Sequence, residues 1–106
     1  MSTLSSHVLD AALGRPAVGL AMTLGGPGGD VLASAMTDDD GRVVFGLDLA
    51  PGGHRLVLET GLWFAAVDRP TFFPEISLAF VVAAGEEHYH LAVLLSPFAY
   101  TTYRGS

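Results

Sequence analysis

Along most of the chain apolar and polar side chains alternate, the period-two pattern of strands that bury one face. A first strand is predicted over Leu4–Asp10, with Leu4, Ser6, Val8 and Asp10 on one face and Ser5, His7 and Leu9 on the other. Gly14-Arg15-Pro16 then turns the chain. Further strands are expected over Val18–Leu24, Val31–Thr37, Arg42–Phe45, His54–Glu59 and Glu75–Val82. Between them stand Gly25-Gly26-Pro27-Gly28-Gly29, Asp38-Asp39-Asp40-Gly41, Pro51-Gly52-Gly53 and Gly85-Glu86-Glu87, where Gly, Pro and Asp favour turns. Leu62–Val67 lacks alternation and is the helix candidate, with Trp63 and Phe64 anchoring it to a sheet. Two prolines, Pro70 and Pro74, mark the following stretch as a loop. The last nineteen residues open with His88-Tyr89-His90, run through an apolar strand, turn at Ser96-Pro97 and finish on Tyr103-Arg104-Gly105-Ser106. Seven to eight short strands with one short helix predict an all-β antiparallel sandwich, a single domain over residues 1–106.

Composition adds an oligomer to that picture. The chain is 50% hydrophobic and only 15% charged, more apolar than a small solvated monomer needs. Partner subunits are expected to cover the surplus, since no apolar run approaches the ~20 residues of a membrane span. A net charge of -6 argues against nucleic acid, whose phosphates demand a basic surface. The absence of cysteine excludes disulfides, thiol catalysis and thiolate metal sites. Met1-Ser2-Thr3-Leu4 lacks a basic start followed by an apolar run, so no secretory signal is read there and a cytoplasmic location is expected.

Two tempting motifs carry no chemistry. The glycine cluster at 25–29 has neither the Lys-Ser/Thr of a phosphate loop nor a helix behind it. Asp38-Asp39-Asp40 lacks the ligand spacing of a calcium loop and reads as a hairpin turn. Elsewhere the polar residues are more informative. All five positive charges are arginines, whose planar forks suit carboxylates and carbonyl edges, and Arg42 stands just past a turn, where a strand begins. In an extended chain His88 and His90 share a face while Tyr89 looks the other way.

At these positions the sequence resembles the 5-hydroxyisourate hydrolases, also called transthyretin-like proteins. The resemblance rests on Ser6-His7-Val8-Leu9-Asp10 with Leu13-Gly14-Arg15-Pro16-Ala17, on Thr37-Asp38 and Asp40-Gly41-Arg42, and on Phe73-Pro74-Glu75. It continues from His88-Tyr89-His90 through Leu94-Leu95-Ser96-Pro97 to Tyr103-Arg104-Gly105-Ser106. That terminal tetrapeptide is the most specific part, because transthyretin itself shares the sandwich and the Leu-Leu-Ser-Pro segment but not this ending. Ala92 stands where such enzymes usually carry Pro, and Ala99 where Gly is common.

The resemblance implies a transthyretin-like sandwich, assembled as a homotetramer with sites where two dimers meet. It also implies hydrolytic opening of the six-membered ring of 5-hydroxyisourate, a step of urate degradation, with no cofactor and no metal. His7 and His90 are then candidates for activating water and shuttling the proton. Arg42 holds a carbonyl or anionic edge, and Tyr103 and Arg104 close the pocket. The Ser106 hydroxyl or carboxylate orients a histidine, and His88 supports His90. Two other readings stay open: a three-imidazole zinc site from His7, His88 and His90, and a non-catalytic carrier of a planar aromatic ligand.

Overall fold

The computed structural model describes residues 2–106. Its elements are β1 (Thr3–Asp10), β2 (Arg15–Pro16), β3 (Ala21–Gly25), β4 (Val31–Met36), β5 (Arg42–Phe45), β6 (Gly52–Leu58), α1 (Thr60–Ala66), β7 (Ile76–Val82), β8 (His88–Ser96) and β9 (Ala99–Gly105). Two sheets face each other. One runs β4-β3-β6-β7; the other runs β2-β1-β8-β9, with β5 also paired to β1.

Alternation in β1 falls as the sequence predicts. Leu4, Ser6, Val8 and Asp10 are buried, while Thr3, Ser5, His7 and Leu9 lie on the outer face. The buried set joins Leu20, Met22, Leu24, Leu56, Leu58, Phe64, Ile76, Val82, Val93 and Leu95 in one core between the sheets. Each fully buried side chain of this size contributes about 1.5–3 kcal/mol by leaving water. Ser6 is tolerated inside because its hydroxyl donates to the Leu91 carbonyl at 2.8 Å, leaving no buried polar atom unmatched there.

Four differences separate the structure from the sequence reading. The second long strand begins at Ala21 rather than Val18, because Gly19 adopts φ 75° and its N–H donates to the Thr37 carbonyl, shaping a turn. The two-residue strand β2 brings the total to nine, against the seven to eight expected. The sandwich is antiparallel apart from one pairing, since β1 and β8 run parallel. That parallel pair lies at the centre of its sheet, and it brings the two ends of the chain side by side. The helix starts at Thr60, slightly ahead of the expected Leu62. It is pinned by the Trp63 indole, which donates to the Val18 carbonyl at 2.7 Å, and by the buried Phe64. Among the described residues no helix is long and apolar enough to cross a membrane.

Candidate active site

The strand registers assemble two rows of side chains across the outer face of the β5-β1-β8-β9 sheet. Arg42 pairs with His7, His7 with Ala92, and Ala92 with Tyr103. In the next row Val44 pairs with Ser5, Ser5 with His90, and His90 with Gly105. Directly paired residues share a face, so Arg42, His7, His90 and Tyr103 look the same way. His88, paired with Thr3, extends the group by one more row.

Arg42 reaches this row through its turn. The Asp38 carboxylate accepts the N–H groups of both Asp40 and Arg42 at 2.9 Å, which is how a short acidic side chain closes a turn on itself. Gly41 at φ 74° completes it. A side chain there would press on the Val8 carbonyl, only 2.5 Å from a built Cβ. The acidic triplet therefore positions Arg42 and offers no ion cage. Among the described residues the Arg42 side chain makes no ion pair and no hydrogen bond.

His90 is held from two sides. Its Nδ1 lies 2.7 Å from Ser5 Oγ, and its ring lies over Gly105, where an added Cβ would stand 2.5 Å from Cδ2. Only glycine fits at 105 while the ring keeps this place. The same Ser5 hydroxyl meets His88 Nε2 at 2.9 Å, and His88 Nδ1 meets Thr3 Oγ1 at 2.6 Å. Burial, followed by the nearby charges of Arg42, His7 and His88, pushes the His90 imidazole below its ordinary value. All four causes favour the neutral ring.

A cleft of about 220 Å³ opens here, lined by Ser5, Arg42, Val44, His88, His90 and Ser106 among others. Full ligand pockets begin near ~300 Å³, so this is the size of a partial site. A larger cleft, about 390 Å³, lies between Asp10, Arg15, Trp63 and Arg69. There the Arg69 guanidinium donates to the Asp10 carboxylate at 2.6 Å and stacks over Phe64, so its opposite charges already satisfy each other.

Of the residues singled out in the sequence, His7, Arg42, His90 and Tyr103 share the outer face, and Ser106 lines the cleft. Arg104 leaves that face and instead lines, with His90, Tyr89 and Glu86, a neighbouring cleft of about 340 Å³. It pairs with Leu91, its guanidinium lies 4.4 Å over the Tyr89 ring, and it meets the Glu86 carboxylate at 3.5 Å. His7, His88 and His90 form no ligand cluster, since among the described residues no three metal-binding side chains gather closely enough to hold an ion. Ser5 is the residue that sequence reasoning passed over, although its place on the His7 face of β1 was available as a signal.

Known proteins share this fold. Residues 4–105 match the model of the HIUase/Transthyretin family. A 5-hydroxyisourate hydrolase of Caulobacter vibrioides is 41% identical over 115 residues, covering all of both chains. The solved 5-hydroxyisourate hydrolase of Klebsiella pneumoniae superposes with a TM-score of 0.91 at 40% identity, covering all of this chain and 94% of the other. Sea bream transthyretin in complex with thyroxine superposes at 0.88 with 28% identity, covering 96% of this chain and 93% of the other.

Proposed function

The chain belongs to the HIUase/Transthyretin family, and from that premise we propose that it is an enzyme that hydrolyses 5-hydroxyisourate. The observation that carries the reading is the juxtaposition of an unpaired guanidinium, Arg42, with a neutral-favoured imidazole, His90, in one cleft. A hydrolase of a carbonyl-rich ring needs a base for water, a donor for the developing oxyanion and a proton for the departing nitrogen.

Each need has a candidate on the outer face. Water attacks a ring carbonyl, a C–N bond breaks, and 2-oxo-4-hydroxy-4-carboxy-5-ureidoimidazoline forms. His7 and His90 divide the proton transfers between them. Arg42 binds a carbonyl edge and stabilises the charge that grows there, which a guanidinium does better when no carboxylate competes for it. Tyr103 and Ser106 border the ring, and the Arg104 contacts with Tyr89 and Glu86 hold the end of β9 in place.

The small cleft is half of a site, completed by a second copy in a homotetramer. Val44 at 76% exposure, Tyr103 at 55% and Leu94 at 37% lie on this same face, an apolar rim that a second sheet can cover. A cytoplasmic location belongs to the same reading. Mixing the protein with freshly generated 5-hydroxyisourate and following its ultraviolet decay tests the activity. A rate well above the spontaneous one is expected, whereas an unchanged rate with the ligand bound points to a carrier.

A further inference from the structure

We propose that Ser5 and His88 are positioning residues that fix the tautomer of His90 and leave its Nε2 as a bare lone pair toward the cleft. The line of contacts runs from His90 Nδ1 to Ser5 Oγ, from Ser5 Oγ to His88 Nε2, and from His88 Nδ1 to Thr3 Oγ1. Ser5 carries a single hydroxyl proton but touches two ring nitrogens. It donates to one and must accept from the other. The two histidines therefore cannot choose their tautomers independently.

Both ends of the line accommodate the same sense. At one end Thr3 Oγ1 donates to the Glu87 carbonyl at 3.4 Å, and a carbonyl can only accept. With its proton directed there, Thr3 accepts from His88 Nδ1–H. His88 Nε2 then accepts from Ser5, and Ser5 accepts from His90 Nδ1–H. At the other end the cleft contains Arg42, which can only donate, so a lone pair on His90 Nε2 suits it and an N–H does not. The groups that shift His90 are Arg42 from β5, His7 from β1 and His88 from β8, none of them a carboxylate; Ser106 at the end of the chain also lines this cleft, and Glu86 and Arg104, which line a neighbouring cleft with His90, pair with each other. The lowered affinity of His90 for a proton is consistent with that arrangement.

The catalytic consequence rests on the hydrolytic reading above and deepens it: His90 is the group that takes the proton from water, while His7 is left to serve the departing nitrogen. The positioning itself does not depend on the substrate. It is tested by nitrogen NMR of the histidine rings in the intact, isotope-labelled protein at a pH where they are neutral. The wild-type protein is expected to show His90 protonated at Nδ1 and bare at Nε2. Ser5→Ala is expected to move the proton to Nε2 and to lower kcat by roughly 10²-fold, the low end of what a positioned base contributes, with KM little changed. Ser5→Thr is expected to restore both, and His88→Phe to reproduce the Ser5→Ala tautomer.

A wild-type His90 protonated at Nε2 overturns the proposal without any variant, as does a tautomer unchanged in Ser5→Ala. Should the tautomers respond as described while the wild type fails to speed 5-hydroxyisourate decay, the positioning stands and the hydrolase reading falls. Full turnover alongside an unresponsive tautomer does the reverse.

Discussion

Two clefts flank strand β1, and they use charge in opposite ways. The larger one, beside the C-terminal end of the strand, contains Asp10 and Arg69 locked together at 2.6 Å, with the carboxylate only 2% exposed. Burial alone would raise the Asp10 value. It is outweighed by the Arg69 hydrogen bond, the Leu13 N–H, the Arg69 charge and the Ala12 N–H, and the carboxyl ends below its ordinary range. The smaller cleft, on the outer face, gathers Arg42, His88, His90 and Ser106 with no Asp or Glu side chain among its lining residues. Of these two clefts the larger contains charges that satisfy each other, and the smaller contains a guanidinium without an ion-pair partner among the described residues. Groups that have already found partners build the fold; groups held in place without partners are free to meet a substrate.

The comparison breaks if substitutions in the two clefts have interchangeable effects. The largest separation is expected from His90→Asn, which should lower kcat by about 10²–10⁴-fold with the melting temperature nearly unchanged, as read by the ultraviolet decay assay and by calorimetry. Arg69→Met should do the opposite. Leaving the Asp10 carboxylate buried and unpaired costs about 3–5 kcal/mol, measurable by urea unfolding, while the folded fraction keeps its turnover. Its sign with pH follows from the lowered carboxyl value: the pair's contribution is present above the unfolded carboxylate value and is lost as pH falls through the folded one. The Arg69→Met protein should therefore show a flatter acid limb of stability than the wild type.

A subtler substitution sharpens the contrast inside the smaller cleft. Gly105→Ala adds one methyl where the His90 ring now lies. The ring must move, and a displacement of about 1 Å in a catalytic group can cost about 10²-fold in rate. The expected outcome is reduced kcat with an intact fold, checked by comparing rates and melting curves. Unaltered turnover would show that the His90 position is not critical.

Much of this site is legible in the sequence because alternation is a strong rule. Ser5 and His7 share the outer face of β1, and His88 and His90 share that of β8, as period two requires. The same rule separates Arg104 from Tyr103, since adjacent residues of a strand point to opposite sides, and the register places Arg104 over Tyr89 accordingly. What alternation does not specify is direction or neighbour. Nothing local in Leu4–Asp10 or His88–Ser96 says that these strands, eighty-five positions apart as in Thr3 and His88, pair in parallel at the centre of a sheet. That long-range pairing is what brings Ser5 to His88 and His90. A lone serine on a strand gives no sign of such a role until its partners are placed.

The central claim is that the outer face of this sheet, and not the larger cleft, receives the planar ring. A crystal structure of the protein with a bound, non-hydrolysable purine analogue tests it most directly. The analogue is expected against Arg42, His7 and His90, with Tyr103 and Ser106 at its edge and a second copy of the chain closing over it. An analogue seated instead beside Asp10, Trp63 and Arg69, with the outer face empty, would contradict the account.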